Sequence, residues 1–307
     1  MYTFIANPNA RSGRGILLWK QIEEILLKRD IAYHVLFTKY QHHATHLVHD
    51  LTSDGNPHTI VVLGGDGTLN EVIDGIAFLD KVTLGYIPLG SGNDFARGLG
   101  LPTDVNEALD LILAPSHYTH MNVGVLDYEN KHRRFAVSTG IGFDAAVCHQ
   151  VMVTPLKAFL NHLKLGKLTY LGVALHKLLT LQPVTMTLTT ENGNTHTYHK
   201  VYFTAVMNLK YEGGGFNFCP SADCSDNKLD IITVSNLSRF KVLCLLPTAF
   251  KGWHTHFRGI NIDTCTEVTI TSDRPLPVHT DGEPVFLQKE IHVHLEEQQL
   301  QIITPYR

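Results

Sequence analysis

The sequence lacks any uninterrupted apolar run that approaches the roughly 18 residues a helix needs to cross a bilayer. Its opening residues, Met1–Ile5, lead directly into a strand-like stretch and lack the layout of a signal peptide. Cysteine is scarce: the five cysteines are odd in number and contain no Cys-x-x-Cys pair, which is typical of reduced thiols. We therefore expect a cytoplasmic protein with no transmembrane segment.

An excess of charge of one sign is also missing. The chain has 25 basic and 29 acidic residues, a net charge of −4, so we expect no general attraction to nucleic acid or anionic membranes. The hydrophobic fraction of 44% and the charged fraction of 18% are those of a soluble globular protein. At 307 residues the chain can form two domains, because a single core rarely grows beyond about 250–300 residues.

What the sequence does contain is one prominent strand–turn–helix pattern. Thr59–Leu63 is apolar and mostly β-branched, as in a strand buried on both faces, and the glycine-rich turn Gly64–Gly67 follows. The spacing matches neither the Walker A motif nor the dinucleotide Gly-x-Gly-x-x-Gly motif. Apolar residues then recur at helical spacing, at Leu69, Val72, Ile73 and Ile76. The glycines and the free amides of a helix N-terminus suit a phosphate group, with Thr68 as the expected N-cap.

Asp66 lies inside this turn, where a carboxylate would repel a phosphate unless a cation lay between them. The residue therefore indicates Mg²⁺ together with a nucleoside triphosphate. A tight turn with a solvated aspartate is the alternative, since glycine turns are common in α/β folds.

Two further loops have a similar character. Asn7–Gly15 carries two arginines and two glycines, and Pro88–Arg97 pairs glycines with small polar residues before a helix. Such loops close on phosphates, although ordinary βα loops use the same residue types. Strands alternate with amphipathic helices through residue 113, which predicts a parallel sheet with helices on both faces. Ligands bind such sheets beyond the carboxyl ends of the strands, where all three loops lie.

The pattern changes near residue 118 to a series of strands, with Asn192-Gly193 as a hairpin turn. The predicted strands are Tyr118–Tyr128, Phe135–Thr139, Val184–Thr190, Thr195–Met207, Leu229–Val234, Glu267–Thr271, Ile291–Glu296 and Gln299–Thr304. This series of strands, which one helical stretch interrupts, predicts an all-β antiparallel sandwich for the second part.

Two helical stretches leave alternatives open. His42, His46 and His49 have a spacing that could hold a metal, but no carboxylate or cysteine joins them, so we favour a solvated helix face. Residues 152–181 are rich in leucine and carry four lysines. This stretch could contact a membrane or line a lipid entrance, and a helix pair that covers one end of the sandwich is the alternative.

Two acidic turns in the second part could carry chemistry. Asp223–Asp230 contains three acids in eight positions, a spacing that suits Mg²⁺ or Ca²⁺, with a solvated turn as the alternative. In the other turn, Asp281 and Glu283 stand one residue apart. Either could serve as a general base, or neither.

Five blocks of residues, in order and at sensible intervals, span nearly the whole chain. They are Asn7-Pro8…Gly13…Gly15, Gly64–Glu71, Gly90–Arg97, Pro220-x-Ala222-x-x-x-Asp226…Leu229-Asp230 and Asp281–Glu283. Together they resemble the diacylglycerol kinase catalytic family, in particular the soluble bacterial lipid kinases, which are related to sphingosine and ceramide kinases. Gly-Gly-Asp-Gly-Thr alone is shared with NAD kinases and phosphofructokinases.

The resemblance implies a fold and its boundaries. Residues 1–121 would be a nucleotide-binding α/β domain of the NAD-kinase and phosphofructokinase type. Residues 122–290 would be a β-sandwich that accepts the lipid and carries the helical insert at about 152–181. Residues from about 291 to 307 would pack back toward the first domain, and the active site would lie in the cleft between the two.

The resemblance also assigns site residues. ATP would be bound by Asn7, Pro8, Asn9, Ala10, Arg11, Thr38, Gly64, Gly65, Asp66, Gly67, Thr68, Leu69, Asn70 and Ser91. Asp66 would act through the Mg²⁺ of the nucleotide, Glu283 would accept the proton, and Asp281 would support it. A structural Mg²⁺ would be held by Asp223, Asp226 and Lys228. The family's glycine at this turn is Asn227 here, and asparagine tolerates the same left-handed conformation.

We therefore predict an ATP- and Mg²⁺-dependent lipid kinase that phosphorylates a lipid hydroxyl, with diacylglycerol as the expected acceptor and phosphatidic acid as the product. It would contact the inner face of the membrane transiently and would not bind nucleic acid. A homodimer is the commonest state of soluble oligomers. The alternatives are another hydroxyl lipid, such as a sphingoid base or phosphatidylglycerol, NAD as the acceptor, or a non-catalytic nucleotide-binding regulator.

Overall fold

The computed structural model describes residues 1–153, 176–178 and 180–306. The first of its two large sheets contains, in spatial order, β2 (Tyr33–Phe37), β1 (Tyr2–Ala6), β3 (His58–Gly64), β4 (Val82–Pro88), β17 (Leu300–Thr304) and β5 (His117–Met121). All neighbours are parallel except β17 and β5. The helices of this part are α1 (Ala10–Gly13), α2 (Gly15–Lys28), α3 (His43–Thr52), α4 (Asp66–Gly75), α5 (Asp94–Leu99) and α6 (Val105–Leu113).

Strand β3 shows why helices cover both faces of this sheet. Ile60 and Val62 lie in a core that contains residues of α3 and α4, whereas Val61 and Leu63 lie in a second core with residues of α2 and α6. Side chains alternate along a strand, so an uninterrupted apolar strand needs an apolar partner on each side. The predicted parallel sheet with helices on both faces is confirmed.

The second large sheet has nine strands, and all of its pairings are antiparallel. The strands are β6 (Gly124–Tyr128), β7 (Lys131–Phe135), β8 (Ser138–Gly142), β9 (Val184–Thr190), β10 (Thr195–Met207), β13 (Leu229–Ser235), β14 (Ile260–Cys265), β15 (Glu267–Thr280) and β16 (Glu283–Leu295). The spatial order is β14-β13-β10-β8-β15-β16-β6-β7, with β9 also between β10 and β15. The remaining elements are the ribbon β11 (Tyr211–Glu212) and β12 (Phe216–Asn217), helices α7 (Phe143–Val153) and α8 (Arg239–Ala249), and 3₁₀ turns at Leu79–Lys81 and Trp253–His256.

This sheet folds over on itself. Leu126 of β6 and Leu229 of β13 belong to strands near opposite ends of the spatial order, yet both lie in one hydrophobic core. Two sheet halves that share a core in this way form a sandwich. The predicted antiparallel β-domain is confirmed.

The structure corrects several strand boundaries. Residues 118–128 are two strands in different sheets, and the chain passes between them at Asn122-Val123. β15 and β16 are much longer than the strands predicted there. In β15, Pro275 and Pro277 lie near register shifts, and prolines in a sequence argue against a continuous strand. Of residues 291–307, only β17 pairs in the first sheet, while the chain through Leu295 remains in the second.

Helix α8 is absent from the sequence prediction. Its residues, RFKVLCLLPTA, are apolar on all sides and include Pro247, so no amphipathic period marks the helix. The predicted insert at 152–181 lies mostly outside the described residues. Among the helices that the structure does describe, none is long and apolar enough to span a bilayer.

Candidate active site

The three glycine loops lie side by side at the carboxyl ends of β1, β3 and β4. The side-chain amide of Asn7 donates to Thr68 Oγ1 (3.1 Å), and a Cβ built on Gly65 would lie 3.3 Å from the Gly90 Cα. Such a close approach of two backbones leaves room only for glycine. The loops therefore form one continuous surface of main chain, the kind of surface that binds phosphate.

Helix α4 begins at Asp66, and Gly65 is its N-cap in an extended conformation. The prediction of Thr68 as the N-cap is wrong, because Thr68 lies inside the first turn and is buried. The amide of Leu69 donates the first hydrogen bond of the helix, to the Gly65 carbonyl. The amides that precede Leu69, together with the positive end of the helix dipole, can bind an anion.

Asp66 and Asp94 are close together where the β3 and β4 loops meet. A Cβ on Gly92 would lie 3.2 Å from Asp66 Oδ2 and 3.5 Å from Asp94 Oδ2. Asp94 accepts hydrogen bonds from the Gly214 amide (2.7 Å) and from Arg97 (2.5 Å). Burial raises the pKa of Asp94 to about 6, with a contribution from the charge of Asp66. Asp94 lies within the Gly90–Arg97 block but was not among the predicted site residues.

The pair fits a divalent cation. Burial raises the pKa of Asp66 also, against the opposing effect of backbone amides at the start of α5. Asp66 Oδ1 is buried, and no hydrogen-bond partner reaches it from the described residues. A cation would satisfy this oxygen and neutralise the two carboxylates, and an oxygen-only donor set suits Mg²⁺.

Glu283 reaches the same cleft through a tight hairpin. Asp281 and Gly282 join β15 to β16 with φ angles of 46° and 81°, as a two-residue type I′ turn requires. The carboxylate lies beside the N-terminus of α4, since a Cβ on Gly67 would be 3.1 Å from Glu283 Oε1. Gln41 Nε2 donates to Oε2 (3.2 Å).

The surroundings of Glu283 make its carboxylate more basic. Burial raises the pKa of Glu283 above its usual value, and the negative charge of Glu71 raises it further. The positive charge of Arg133 opposes this effect, as do His42 and the bond from Gln41. A carboxylate whose pKa is raised toward neutrality is a better proton acceptor at physiological pH.

The Asp281 carboxylate is fully engaged in hydrogen bonds. Oδ1 accepts from the amides of Val137 (2.8 Å) and Ser138 (2.9 Å), and Oδ2 accepts from the Ala136 amide (2.8 Å) and the Asn70 side chain (2.9 Å). Asn70 belongs to α4, whereas the three amides lie at the β7–β8 connection. Asp281 thus holds the hairpin against both domains, which is a positioning role.

We expect Asp281→Asn to lower the free energy of unfolding by about 3 kcal/mol, because the asparagine NH₂ would face backbone N–H donors and leave them without an acceptor. Urea unfolding measures the change. Asp273→Asn is the matched control, since Asp273 accepts one amide bond, from Thr185, at an exposed position. A variant that unfolds like wild type but has lost activity would instead indicate a direct chemical role for Asp281.

A buried histidine lies behind the hairpin. His279 Nε2 is 3.1 Å from both Asp144 Oδ2 and Glu212 Oε1, and the Gly282 amide donates to Nδ1 (3.1 Å). Because Nδ1 accepts, the ring proton is on Nε2, between the two carboxylates. Burial raises the pKa of Asp144, against the opposing effect of the hydrogen bond with His279. No sequence pattern marks this triad, because its members come from β15, α7 and β11.

The other residues predicted to bind nucleotide divide into two groups. Leu69 lies in the hydrophobic core, and the buried amide of Asn70 bonds to Asp281, Arg133 and the Arg134 carbonyl, so neither side chain faces the loops. The rest lie in the segments that follow β1 to β4: Asn7, Pro8, Asn9, Ala10, Arg11, Thr38, Gly64, Gly65, Asp66, Gly67, Thr68 and Ser91. Residues 10–13, expected as loop, form α1.

The turn expected to hold a structural cation precedes β13. Asp223 and Asp226 are exposed, and Asp226 Oδ1 accepts the Lys228 amide (2.9 Å). Asn227 has a φ of 60°, so it adopts the left-handed conformation expected of it. Buried Asn122 fixes the turn, since its side chain exchanges two hydrogen bonds with Asn227 (2.8 and 3.0 Å).

Comparisons with known proteins identify the family of this chain. A diacylglycerol kinase catalytic domain model matches residues 1–126, and a model of the YegS C-terminal NAD kinase beta sandwich-like domain matches residues 137–304. A Bacillus subtilis protein with the name "Putative lipid kinase YtlR" is 33% identical over 288 residues, 91% of this chain and 92% of that protein. This chain belongs to the diacylglycerol kinase family.

Other members resemble this lipid kinase over most of its length. A diacylglycerol kinase of Mycobacterium tuberculosis is 29% identical over 262 residues, 80% of this chain and 81% of that one. A Bacillus anthracis crystal structure, described as "a putative diacylglycerol kinase", aligns with a TM-score of 0.78 and 26% identity over 99% of this chain and 97% of that one. The predicted family, the kinase class and the two-part fold are confirmed.

Proposed function

We propose that this kinase transfers the γ-phosphate of ATP to the hydroxyl of a lipid, with Mg²⁺ as the cofactor and diacylglycerol as the acceptor. The observation that carries the proposal is the position of Glu283 beside Gly67, in the first turn of α4, the helix that begins at Asp66. A proton acceptor, an anion site and a cation site then meet in one cleft, which is what phosphoryl transfer requires. The name of the Mycobacterium tuberculosis relative supports diacylglycerol as the acceptor.

Each group has a role that follows from its surroundings. The glycine loops and the first amides of α4 hold the β- and γ-phosphates. Asp66 and Asp94 hold Mg²⁺, which when bound neutralises phosphate charge. Glu283 accepts the proton of the lipid hydroxyl as its oxygen bonds to the γ-phosphorus and the bond to the β-phosphate oxygen breaks. Asp281 and His279 fix the hairpin, so the base is already oriented before the lipid arrives.

An apolar path that starts at this cleft supports a lipid acceptor. The Gly214 amide binds Asp94, and its neighbour Gly213 is in contact range of Phe216. Phe216 stacks on Phe250, with ring centroids 4.1 Å apart. The glycine segment that binds Asp94 therefore leads to a stacked aromatic pair at the end of α8.

Helix α8 and the turn after it expose four large aromatic side chains, one near the start of the helix and three at or after its end. This aromatic surface consists of Phe240 (73% exposed), Trp253 (57%), Phe250 (51%) and Phe257 (47%). Exposed Lys241, Lys251 and Arg258 lie beside these residues in the chain, and Lys251 Nζ lies 4.8 Å from the centroid of the Trp253 ring. Beneath α8 lies a small apolar pocket, lined by residues that include Phe203, Val242 and Leu246. Aromatic and basic residues together are typical of segments that lie in a membrane interface.

We expect the double variant Phe240→Ser/Trp253→Ser to bind vesicles that contain phosphatidylglycerol at least about tenfold more weakly, since two large apolar side chains no longer enter the bilayer. Vesicle sedimentation measures the binding. Leu27→Ser is the matched control, because Leu27 is 66% exposed but lies on α2. Equal binding by the double variant and wild type would exclude this aromatic surface as the contact.

We also propose that Asp223, Asp226 and Lys228 hold a structural Mg²⁺, with the Asp226 carboxylate as a ligand. Mg²⁺ should then raise the thermal midpoint of wild type, and EDTA should lower it, because a cation that binds only the folded state stabilises it. Asp226→Asn should remove most of this shift, whereas Asp80→Asn, at an exposed ion pair with Lys81, should retain it. A midpoint that Mg²⁺ and EDTA leave unchanged in wild type would contradict the site.

The proposed activity is tested by transfer of γ-³²P from Mg·ATP to lipid in mixed micelles. Diacylglycerol, a total lipid extract and NAD are compared as acceptors. Labelled phosphatidic acid is the expected product. Label in a different lipid would keep the reaction and change the acceptor. Label in NAD with none in any lipid would overturn the lipid assignment, and ATP binding without transfer to any acceptor would indicate a regulator.

A further inference from the structure

Two groups of described residues bring imidazole and carboxylate ligands within 4.8 Å of one another. One is the buried triad of Asp144, Glu212 and His279. The other, Asp127 with His292 and His294, is partly exposed on the second sheet. We call it the β16 histidine group. The hydrogen bonds around the two groups show that only the second can offer a histidine nitrogen to a metal ion.

The tautomer of His279 excludes the buried triad as a metal site. His279 Nδ1 accepts the Gly282 amide, so Nε2 carries the proton and has no lone pair to donate. In the β16 histidine group the arrangement is the reverse. His294 Nδ1 lies 3.0 Å from the Leu295 carbonyl, which can only accept, so Nδ1 carries the proton. Nε2 faces Asp127 Oδ2 at 3.1 Å, so a metal ion would take the place of the proton between these two atoms, and a carbonyl behind Nδ1 is the usual support of a metal-binding histidine.

Strand register brings the three ligands together. His292 and His294 are two positions apart on β16, so both project from the same face of the sheet. Asp127 of β6 is the register partner of His292, and its Oδ2 lies 3.1 Å from His294 Nε2. Two ligand atoms bound to one tetrahedral Zn²⁺ at about 2.0–2.1 Å would be separated by roughly 3.3 Å, so the Asp127 and His294 atoms need little movement. The His292 nitrogen lies within 4.8 Å of both. His132 Nδ1, on β7, lies 3.0 Å from the other Asp127 oxygen.

We propose that Asp127, His292 and His294 form a binding site for a divalent transition metal of the Zn²⁺ class. Two imidazoles and one carboxylate favour Zn²⁺, Co²⁺ or Ni²⁺ over Mg²⁺, which prefers oxygen ligands. The three side chains are 30–37% exposed, so an ion reaches them from solvent. His132 or water completes the coordination. The ion links β6 to β16 and stabilises the sheet; this site does not depend on the proposed lipid kinase reaction.

The test is Co²⁺ and Zn²⁺ binding to the full chain, without nucleotide and with any purification tag removed. Excess Mg²⁺ is present so that oxygen-only sites, including those at Asp66 and Asp226, are occupied. We expect one equivalent of Zn²⁺ by titration calorimetry and a tetrahedral Co²⁺ absorption spectrum. His294→Gln and Asp127→Asn should each weaken binding at least about tenfold. Zn²⁺ should raise the thermal midpoint of wild type but not of these variants.

His46→Gln is the matched control, because His46 is an exposed histidine on α3 with no place in the group. It should bind Zn²⁺ as wild type does. Circular dichroism confirms that each variant is folded, and anomalous diffraction at the zinc edge locates the ion in wild type independently of any variant. Absence of binding in excess Mg²⁺, unchanged affinity in both variants, or an anomalous peak elsewhere would overturn the proposal.

Discussion

Glu283→Gln is expected to lower kcat for lipid phosphorylation by about 10²–10⁴-fold, because the hydroxyl would lose its proton acceptor. The KM for ATP should change little, since the phosphate-binding amides of α4 and the carboxylates of Asp66 and Asp94 remain. Glutamine keeps the shape of the side chain, and its amide oxygen can still accept the bond from Gln41. The effect should therefore fall on the chemical step, which single-turnover kinetics measures.

Glu290→Gln is the matched control for this variant, because Glu290 is an exposed carboxylate on the same strand. It should react at the wild-type rate. The raised pKa of Glu283 also fixes the direction of the pH dependence: kcat of wild type falls as pH decreases through that pKa, since the protonated carboxyl cannot accept a proton. Near-native turnover by Glu283→Gln would show that another group takes the proton.

Asp94→Asn should remove activity and at the same time stabilise the fold. In the native state the pKa of Asp94 is raised from 3.8 to about 6, so its ionised form is disfavoured by folding. Two pKa units correspond to at most about 3 kcal/mol, and we expect a gain of about 1–3 kcal/mol in unfolding free energy at pH 7 without Mg²⁺. Activity is lost because one of two carboxylates for the cation is gone.

Because the pKa of Asp94 differs between the native and unfolded states, the stability difference between Asp94→Asn and wild type also depends on pH. Between pH 6 and pH 4 the native state binds a proton at Asp94 more tightly than the unfolded chain does, so wild type gains stability as pH falls. The gain in unfolding free energy of Asp94→Asn over wild type should therefore decrease between pH 6 and pH 4 and disappear below about pH 4. Urea unfolding at pH 7, 5 and 4 measures it. Asp50→Asn, at an exposed position on α3, should show no such pattern. A destabilised Asp94→Asn at pH 7 would mean that its bonds to Gly214 and Arg97 outweigh the cost of its charge.

The parts of the site that the main chain forms, namely the strand, the glycine loops and the helix N-terminus, could be predicted from the sequence. A buried β-branched strand followed by glycines and an amphipathic helix has few alternatives, which is why the sheet and its glycine loops were found. Asp66 stood out because it lies among glycines. Asp94 did not, since an acid in the first turn of a helix is ordinary. Its significance depends on Asp66 and Gly214, and only the tertiary structure brings these residues together.

Residues that act through distant partners could not be predicted in the same way. The amides that bind Asp281 precede it by 143 to 145 positions, and Asn70 precedes it by 211. The His279 triad has the same property. Helix α8 was missed for another reason: a helix that exposes apolar side chains has no polar face to give it a period.

Strand β17 has a consequence for the order in which the molecule is made. It lies between β4 and β5, so the sheet that carries the glycine loops is completed by residues 300–304, which are synthesised almost 180 residues after β5. During translation the ribosome would release the nucleotide-binding half as an unfinished sheet with an open edge at β4. That half cannot finish folding by itself. The long delay in sequence predicts slow folding and a period in which the nascent chain needs protection from aggregation.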